Sequence, residues 1–583
     1  MKTSIIILTY NQLEYTKLCI ESIRKYTEPR SYEIIIVDNA SSDGTTDWLK
    51  GQQDIKVIFN ESNLGFPKGC NQGIEIASGD NVLLLNNDTI VTERWLEQLT
   101  YALYSDDSVG AVSCVTNNCS YGQKISTSYQ DLKQMQQFAS QYNVSDPTKW
   151  DERLKLIGFC YLIKGSVLKK VGALDEMFSP GNFEDDDYSL RIRKAGYKLL
   201  LCRDTFIHHF GSVSFGRMPS KYSQILRNNA RKYETKWGFS PLYSQHIRLE
   251  IVNLITEPAE APINVLEVGC ACGGTLLEIR NRYKNSNLYG IELNEATAEV
   301  AKIIADVRPE NVENDIMSYE ENFFDYIILA DVLEHLYDPW TVLTNIRKYL
   351  KPNGKLLISL HNIMHHSVLS DLLIDGNFSY EDAGILNRTQ MRFFTLNEIH
   401  RMNFRTGFTI NEVSGVSKGI SQKDEGFISR LDMLGEQNLK AQFETYQYIL
   451  SASKNPLYDI IPIIMDNKDR PNLIIDKLKD YATTDILTMI NVLFSDDSYK
   501  TELFNLIGVV HFESGEYNRA LPFFERAHFT DLFNTEVLYN ISYSLYFIGE
   551  ESAVAEYIEE LRDLDKSAYD DLLIVINELK ATL

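Results

Sequence analysis

Four consecutive carboxylic acids stand at residues 184–187, in the run Phe183-Glu-Asp-Asp-Asp-Tyr188. Like charges this close raise one another's pKa, because each carboxylate disfavours the ionisation of its neighbours. A raised pKa improves a carboxylate as a general base toward a hydroxyl group. An acidic run is also a common solvated helix face. These residue types therefore predict either a general base or an exposed acidic surface.

Polar side chains follow several β-rich runs at the point where each run ends. The pairs of run and ending are Ser4 to Thr9 with Tyr10-Asn11, Glu33 to Val37 with Asp38-Asn39, and Val82 to Leu85 with Asn86-Asn87-Asp88. In open sheets of parallel strands, ligands bind at the carboxyl ends of the strands. The sequence therefore predicts a ligand site where these endings meet.

A glycine-rich turn lies in the run Val265-Leu-Glu-Val-Gly-Cys-Ala-Cys-Gly-Gly274, between a predicted strand and a predicted helix. Glu292 closes the next strand, 19 residues after Gly273. Such a turn lets the backbone approach a ligand, and an acid about 20 residues further on can hold ribose hydroxyls. The spacing predicts a site for a nucleoside or dinucleotide.

Strands and helices alternate around both candidate sites, which predicts mostly parallel sheets with helices on both faces. A second β/α block begins at Ile263 and ends near Lys454, after a late strand from Tyr446 to Ala452, and the pattern is helical from Pro456 onward. We predict an α/β multidomain protein with a first domain at 1–240, a linker at 241–262, a second domain at 263–454 and an α-helical domain at 455–583.

The helical end contains an internal repeat. Asn505 to Gly508 is followed 34 residues later by Tyr539 to Ser542, and Gly515 is matched by Gly549. A 34-residue helix–turn–helix spacing resembles a tetratricopeptide repeat. Two imperfect units leave open a small helical cap or a surface for self-association or protein binding.

Composition restricts the class of protein. With 583 residues, 44% hydrophobic and 24% charged, the chain is typical of a soluble protein of about three or four domains. A net charge of −24 disfavours nucleic acid as a partner. No apolar run approaches the roughly 18 residues of a transmembrane helix, and no signal peptide begins the chain. We expect a cytoplasmic protein, with peripheral membrane association left open. Its eight cysteines show no disulfide or zinc pattern.

The first block resembles an inverting family 2 glycosyltransferase of the GT-A fold, from about residue 3 to 217. The resemblance rests on Ser4 to Asn11, Ile36 to Gly44 and Asn63-Leu-Gly-Phe66 with Asn71. It implies a nucleotide-sugar donor, a glycan or glycoprotein acceptor and a divalent cation, Mg²⁺ or Mn²⁺. The residues it places around the donor are Thr9, Tyr10, Asn11, Asp38, Asn39, Gly65, Asn71, Asn87 and Asp88.

The resemblance also assigns a metal site and a base. Asn86-Asn87-Asp88 stands at the family's Asp-x-Asp motif and retains one carboxylate, Asp88, for the cation. His208 and His209 stand where related enzymes place a further metal or phosphate contact, although paired histidines on a strand edge can equally be packing residues. The acidic run resembles the family's Glu-Asp-x-Asp motif, with Asp185 as the base, Glu184 as the second choice and Asp187 as an orienting group.

Two other nucleotide-dependent classes are disfavoured. A donor-activating nucleotidyltransferase would carry a glycine-rich, basic phosphate loop after Thr9, and the sequence has none there. The GxxxxGK[ST] motif of P-loop NTPases is also absent.

The second block resembles class I S-adenosylmethionine-dependent methyltransferases, over roughly 262 to 454. Glu267 before the glycine-rich turn and the run Asp325 to Leu336 favour this class over NAD-binding domains, and Ala271 replaces the middle glycine of the family's GxGxG loop. The residues that the resemblance places around S-adenosylmethionine are Glu267, Gly269, Cys270, Gly273, Glu292, Asp315, Ile316 and Asp331. His335 and His361 are candidate bases for methyl transfer, with His365 and His366 nearby, and each is alternatively a structural histidine.

The leading hypothesis is a bifunctional enzyme that adds a sugar with inversion and O-methylates a sugar hydroxyl in bacterial surface glycan biosynthesis. The alternatives are a protein glycosyltransferase of the flagellin type, whose helical end binds the polypeptide, and a scaffold whose catalytic domains have decayed.

Overall fold

The computed structural model describes residues 1–211, 219–242, 244–314, 317–417, 419–434 and 438–582. Its contacts divide the chain into two compact units. The first unit contains Met1–Ser318, Phe324–Val332 and Leu357–Ser359, and the second contains Tyr319–Phe323, Leu333–Leu356 and Leu360–Leu583. Because this division does not follow the boundaries at 240, 262 and 454, those boundaries stay predictions.

The first unit opens with an eight-stranded sheet. The strands in this part of the chain are β1 (Thr3–Thr9), β2 (Tyr32–Asp38), β3 (Ile55–Phe59), β4 (Asn81–Asn86), β5 (Thr89–Ile90), β6 (Val109–Val115), β7 (Trp150–Arg153), β8 (Cys160–Lys164), β9 (Lys198–Phe206) and β10 (His208–His209). The order is β3-β2-β1-β4-β8-β6-β9-β7, and β5 pairs with β10 in a small separate sheet. Strands β3, β2, β1 and β4 are parallel, so their carboxyl ends share one edge.

Both faces of this sheet are buried. Ile5 and Ile7 belong to one apolar cluster, whereas Ile6 and Ile35 belong to another. Successive side chains of a strand point to opposite faces, and a parallel sheet covered on both faces favours continuous β-branched runs. The predicted α/β class is confirmed. The register pairs Thr9 with Asp38, which brings two of the predicted polar endings together.

Helices alternate with these strands. They are α1 (Leu13–Tyr26), α2 (Thr45–Lys50), α3 (Phe66–Glu75), α4 (Trp95–Leu103), α5 (Leu132–Tyr142), α6 (Gly165–Val171), α7 (Glu184–Lys194) and α8 (Pro219–Trp237). The four acids form the first turn of α7, and Arg191, Arg193 and Lys194 lie in its last turn. This distribution complements the helix dipole, which favours negative charge at the N-terminus.

A second sheet of seven strands follows. The elements of this region are α9 (Leu249–Val252), β11 (Asn264–Val268), α10 (Gly274–Arg282), β12 (Asn287–Ile291), α11 (Glu295–Ala301), β13 (Asp306–Arg308), β14 (Phe324–Ala330), α12 (Pro339–Arg347), β15 (Leu350–His361), α13 (His366–Leu373), α14 (Leu396–Arg405), β16 (Phe408–Ser417), α15 (Gln422–Asp432), α16 (Lys440–Glu444) and β17 (Thr445–Lys454). The order is β13-β12-β11-β14-β15-β17-β16, with β13, β12, β11 and β14 parallel and β16 antiparallel to β17. This is a Rossmann-like sheet with an antiparallel edge strand.

The segment 241–262, expected as a linker, is partly packed. Ile251 and Val252 of α9 are fully buried, whereas residues 256–260 are exposed. The proline-rich end therefore behaves as a surface connection. The part before it contributes apolar side chains to the first unit, because the removal of isoleucine and valine side chains from water is favourable.

The remainder of the chain is helical, as predicted. Its helices are α17 (Leu457–Ile460), α18 (Pro471–Leu478), α19 (Thr483–Leu493), α20 (Asp497–Glu513), α21 (Tyr517–Thr530), α22 (Thr535–Phe547), α23 (Glu551–Leu564) and α24 (Lys566–Thr582). The pair α22 and α23 repeats α20 and α21 at a 34-residue offset, with Gly515 and Gly549 at positive φ in the matching turns. The likeness to a tetratricopeptide repeat stays a prediction. Within the described parts of the chain, no helix is both long enough and apolar enough to cross a membrane.

A small residue allows α20 and α21 to approach closely. A Cβ atom on Gly508 would lie 2.6 Å from the ring of Phe524, which is buried. We expect Gly508→Val to lower the free energy of unfolding by about 1–3 kcal/mol, because the ring has no free space to enter. Gly426→Val on α15, where nothing lies within 4 Å of the added carbon, is the matched control and should stay within about 0.5 kcal/mol. Urea unfolding followed by circular dichroism measures both, and equal midpoints would contradict the packing argument.

Candidate active sites

The loop after β1 meets the loop after β4. The Thr9 hydroxyl lies 3.0 Å from the Thr16 hydroxyl, and the Asn87 amide donates to Thr16 at 3.1 Å. Asn11 adopts φ 60° and its side chain accepts from the Ser42 backbone at 2.8 Å. Tyr10 is 47% exposed. Of these four predicted donor residues, Tyr10 presents the most open surface to a ligand.

Asp38 and Asn39 are almost completely buried. The Asp38 carboxylate accepts from the Ser41 backbone at 3.1 Å and from the Thr46 hydroxyl at 2.6 Å. Asn39 accepts from the Asn60 amide at 2.8 Å. In this structure both side chains shape the loops at the carboxyl edge of the sheet.

Gly65 and Asn71 hold the segment that precedes α7. A Cβ atom on Gly65, which has φ +83°, would lie 2.7 Å from the Cα atom of Pro180. The Asn71 amide donates to the Leu174 carbonyl at 2.9 Å and accepts from the Leu174 backbone at 3.0 Å. Asn71 therefore acts on the fold of the site, through hydrogen bonds to backbone, and Gly65 permits the close approach of two chain segments.

Asp88 and His209 form a pair at the junction of β5 and β10. The His209 Nε2 atom lies 3.2 Å from an Asp88 carboxylate oxygen, and its Nδ1 atom lies 2.9 Å from the Asn118 carbonyl. A carbonyl only accepts, so Nδ1 carries hydrogen, and Nε2 faces the carboxylate. The Phe159 ring stacks on His209 with centroids 5.2 Å apart. One nitrogen and one carboxylate oxygen are thus fixed in positions that suit a divalent cation.

His208 occupies a different environment. Adjacent residues of a strand point to opposite faces, and the His208 Nδ1 atom lies 2.7 Å from the Tyr129 hydroxyl. Burial lowers the pKa of His208 to about 4, with His209 adding to the effect, so the ring is neutral at pH 7. Its contact with Tyr129 agrees with the packing alternative for one of the two histidines.

The four acids of α7 have different surroundings. Asp186 pairs with Lys155 at 2.5 Å, and Asp187 pairs with Arg191 at 2.8 Å. Glu184, Asp186 and Asp187 are buried, whereas Asp185 remains partly exposed. Of the four, Asp185 is the carboxylate that an acceptor can reach.

Hydrogen bonds fix the Asp185 carboxylate. One oxygen accepts from the Gly158 backbone at 2.9 Å and the other from the Asp186 backbone at 3.0 Å. Burial raises the pKa of Asp185 to about 7, the neighbouring Asp186 adds to the rise, and Lys155 opposes it. A carboxyl with this pKa is well matched to general base catalysis near neutrality.

Glu184 is buried, and its surroundings change the pKa of its carboxyl. Burial and the charge of Asp185 raise its pKa well above the ordinary value. One Glu184 carboxyl oxygen has no hydrogen-bond partner among the described residues. Ionisation of this side chain is disfavoured, which favours Asp185 over Glu184 as the base.

Gly158 and Phe159 connect the acid helix with the Asp88–His209 pair. Gly158 donates to Asp185, and the next residue, Phe159, stacks on His209. The Phe159 carbonyl also accepts from the Asn86 backbone at 2.9 Å. The role of Gly158 as a link between Asp185 and His209 follows from the fold.

The glycine-rich turn lies at the end of β11 and approaches Glu292. The Ala271 backbone donates to Glu292 at 2.8 Å, and Gly269 donates to the Ile291 carbonyl at 2.7 Å. Gly269, Ala271 and Gly273 all have positive φ, which explains the spacing of small residues in this turn. Burial raises the pKa of the Cys270 thiol well above its ordinary value, so the thiol stays neutral.

Glu267 is buried at the end of β11 with one carboxyl oxygen that has no hydrogen-bond partner among the described residues. Burial raises the pKa of Glu267 to about 8, while Thr275 and Arg248 oppose the rise. A buried acceptor without a partner is costly unless a ligand supplies a donor. The position suits a cationic group such as an ammonium.

Arg248 completes this pocket, and the sequence did not identify it. Its guanidinium lies 2.6 Å from the Asp331 carboxylate, which also accepts from the Ser359 hydroxyl at 2.6 Å. Arg248 lies in the segment expected to be a linker. The sequence feature that could have identified Arg248 is a basic side chain shortly before the strand that carries Glu267.

The remaining predicted residues fall elsewhere. Asp315 and Ile316 lie outside the described residues. In the second unit, the His361 Nδ1 atom lies 3.2 Å from the buried Glu334 carboxylate, and His335 lies 3.0 Å from the Thr389 hydroxyl. Since a buried carboxylate orients an imidazole ring better than an exposed hydroxyl, His361 is the better positioned of the two.

Two family models match this chain. The model Glycosyl transferase family 2 matches residues 4–168, and the model Methyltransferase domain matches residues 243–413. The two matched ranges contain the strand-end residues of the first sheet and the glycine-rich turn of the second. Helix α7, with the predicted base, lies outside the first matched range.

Three named proteins are similar to parts of this chain. Glycosyltransferase AglE of Haloferax volcanii is 26% identical over 230 residues, which is 38% of this chain and 71% of AglE. Glycosyltransferase GlyG of Streptococcus pneumoniae is 28% identical over 109 residues, or 18% of this chain and 36% of GlyG. Ubiquinone biosynthesis O-methyltransferase of Xanthomonas axonopodis pv. citri is 30% identical over 159 residues, or 24% of this chain and 64% of that protein. The chain is therefore an enzyme that carries a family 2 glycosyltransferase domain followed by a class I S-adenosylmethionine-dependent methyltransferase domain.

Proposed function

We propose that this chain transfers a sugar from a nucleotide-sugar donor to a glycan acceptor with inversion, and transfers a methyl group from S-adenosylmethionine to a sugar hydroxyl. One observation carries the proposal. The first unit contains two separate sets of carboxylates: Asp88 after β4 with Asp185 at the start of α7, and Glu267 in β11 with Glu292 after β12. The first set offers a metal ligand and a base for sugar transfer, and the second offers two groups that can bind a methyl donor.

In the proposed sugar transfer, Asp185 removes the proton from the acceptor hydroxyl as that oxygen attacks the sugar. The hydroxyl alone has a pKa far above neutral, so attack at neutral pH needs a base on the face opposite the leaving group. A divalent cation held by Asp88 and His209 would neutralise the charge on the departing pyrophosphate. Asp186 and Asp187 act on the geometry, because their ion pairs with Lys155 and Arg191 fix the first turn of α7.

The proposed metal site makes a specific prediction. We expect His209→Ala to weaken Mn²⁺ binding by about tenfold or more, since the imidazole supplies one of two fixed ligands. His208→Ala is the matched control, because its ring contacts Tyr129, and it should leave Mn²⁺ affinity within about twofold. Calorimetric titration with Mn²⁺ in the presence of a nucleoside diphosphate gives both values. Equal loss in the two variants would refute the assignment of His209.

In the proposed methyl transfer, the free oxygen of Glu267 accepts the ammonium group of the methionine part and Glu292 holds the ribose hydroxyls. Arg248 and Asp331 close the pocket through their ion pair. S-adenosylmethionine supplies an electrophilic methyl group when bound. An oxygen acceptor must lose its proton to a base before or as it attacks the methyl group.

The proposed acceptor is a surface glycan assembled in the cytoplasm of a bacterium. AglE and GlyG are named as glycosyltransferases, and the third relative is named as an O-methyltransferase, which supports oxygen as the methylated atom. All eight cysteines lie in the described residues and are free thiols, as expected in a reducing compartment. Fusion of the two domains raises the effective concentration of the fresh sugar product at the methyltransferase.

A polypeptide acceptor is the second candidate, and the helical end provides the observation that favours it. Phe529 and Phe533, around the turn between α21 and α22, are each 74% exposed. Adjacent exposed aromatic side chains are typical of protein-binding surfaces. Binding of unglycosylated acceptor protein that is lost in Phe529→Ser/Phe533→Ser would favour this candidate over a glycan acceptor.

Product analysis tests the proposal. The purified chain is incubated with Mn²⁺, a panel of nucleotide sugars, S-adenosylmethionine labelled with deuterium in the methyl group, and glycan acceptors. The proposal expects one product that carries both a new sugar and a labelled methyl group on oxygen. Sugar transfer without any methylated product, over the whole panel, would refute the bifunctional assignment.

A further inference from the structure

Helix α10 of the methyltransferase domain closes the edge of the first sheet. Strand β7 is the last strand of that sheet and pairs with β9 on one side. On its outer side, the Glu152 backbone N–H donates to the Asn281 side chain at 3.1 Å, and the Glu152 carbonyl accepts from the same side chain at 2.9 Å. These two hydrogen bonds are the ones that a neighbouring strand would supply. The Asn281 amide thus stands in for a ninth strand at an otherwise open edge.

Charged side chains reinforce the same contact. The Glu152 carboxylate binds Arg193 of α7 at 2.9 Å and Arg280 of α10 at 3.0 Å. Next to it, Arg153 binds Glu278 of α10 at 2.9 Å, and both side chains are less than one tenth exposed. A buried ion pair that loses one partner leaves an uncompensated charge, so each domain depends on the other at this contact.

The two helices that meet at Glu152 both begin at a proposed donor site. Helix α7 carries Asp185 in its first turn and Arg193 in its last. Helix α10 begins directly after the glycine-rich turn and carries Arg280 in its last turn. A helix of this length moves as a rigid body. Because Glu152 binds both helices, it couples the orientation of the base on α7 to that of the glycine-rich turn before α10.

A second connection joins the opposite ends of the same helices. It consists of three hydrogen bonds: Cys272 N to the Ser244 carbonyl at 3.0 Å, Gln245 Nε2 to the Tyr233 hydroxyl at 3.0 Å, and Trp237 Nε1 to the Asp187 carboxylate at 2.9 Å. Tyr233 and Trp237 both lie on α8. The glycine-rich turn and the first turn of α7 are therefore connected through α8 as well, and all these residues lie within the first unit.

We infer that the sugar-donor and methyl-donor pockets belong to one cooperative folding unit, so that a ligand in either pocket stabilises both domains, and that helix α10 carries this coupling through Asn281 and Glu278. A ligand that binds the folded state stabilises every part that unfolds together with its site. The methyltransferase domain is then a structural part of the glycosyltransferase, in addition to its own reaction. The inference rests on the two donor pockets proposed above.

Calorimetry of the full chain tests the inference in the wild type. The ligands are S-adenosylhomocysteine alone, and a panel of nucleoside diphosphates with Mn²⁺. We expect the same unfolding transition to move with either ligand, by about 3–6 °C at a hundredfold excess over the dissociation constant. Two separate transitions, each moved by one ligand, would overturn the inference and leave the proposed function intact. If neither ligand moved any transition, the proposed function and the inference would both fail.

An interface variant tests the role of α10. In the double variant Asn281→Ala/Glu278→Gln, we expect the shared transition to separate into two, each moved by one ligand. The matched control is Asn285→Ala, because Asn285 is exposed and its amide donates to the Glu260 carbonyl rather than to β7, and its transition should stay shared. A single shared transition in the double variant would overturn the assignment to these two residues. The wild-type comparison decides the inference even if the double variant does not fold.

Discussion

Asp185→Asn should lower the rate of sugar transfer by about a hundredfold to ten-thousandfold, the range expected for removal of a general base. The substitution keeps the size and one acceptor oxygen of the side chain, so the hydrogen bond from the Gly158 backbone can persist. Because Asp185 is not among the residues proposed to contact the nucleotide, nucleotide affinity should change by less than about threefold. Steady-state transfer assays and nucleotide titration measure the two effects.

The pH profile separates a base from a structural carboxylate. Since burial raises the pKa of Asp185 to about 7, and since a base must be ionised to accept a proton, the wild-type rate should rise with pH and level off above about 7. Asp107→Asn, at an exposed position, is the matched control and should keep the wild-type rate and profile. Full transfer activity in Asp185→Asn would show that Asp185 is not the base, and Glu184 would then be the next candidate.

Glu267→Gln should weaken S-adenosylmethionine binding by about 10- to 150-fold. The estimate corresponds to loss of one charged hydrogen bond, about 1.5–3 kcal/mol. The carboxyl oxygen without a partner in the folded chain is the group that an ammonium would satisfy. Glu295→Gln, in the exposed first turn of α11, is the matched control and should bind as the wild type does. Titration calorimetry gives the dissociation constants.

The raised pKa of Glu267 also predicts a pH effect on stability. Its pKa of about 8 in the folded chain lies above the ordinary value of 4.5 for a glutamate side chain. The protonated carboxyl therefore contributes stability that is complete below about pH 4.5 and is lost as pH rises through about 8.

A cationic ligand stabilises the ionised form of the Glu267 carboxyl. The affinity for S-adenosylmethionine should therefore rise by about tenfold between pH 6 and pH 7.5. In Glu267→Gln that rise should disappear, and its persistence would contradict the role of this carboxyl.

The sequence predicted the fold well where local patterns and burial agree. Continuous isoleucine runs in β1 and β2 fit strands covered on both faces, and a strand, Asn264–Val268, precedes the glycine-rich turn as predicted. The 34-residue repeat likewise matches the helix pairs, because glycines at positive φ mark the turns. The packed part of the segment 241–262 was missed because a proline-rich composition at its end obscured the apolar residues of α9.

The candidate sites were predicted less completely, since side-chain roles depend on contacts between distant residues. The pattern singled out Asp38 and Asn71, and their side chains bond to nearby loops. The residue types alone could not rank the four acids of α7, because the partner of Asp186, Lys155, lies outside this helix, and the choice of Asp185 came from the family resemblance. Arg248 carried no motif. The contact between Asn281 and Glu152 joins residues 129 positions apart, and no local sequence pattern predicts such a pair.

Two pockets of one chain are proposed to bind two different donors, and native mass spectrometry tests this binding directly. The wild type is mixed with a nucleoside diphosphate, Mn²⁺ and S-adenosylhomocysteine, each above its dissociation constant. We expect one species that carries one nucleotide and one S-adenosylhomocysteine. The variant Glu267→Gln should lose only S-adenosylhomocysteine. Displacement of one ligand by the other, or a chain that never holds both, would contradict the account.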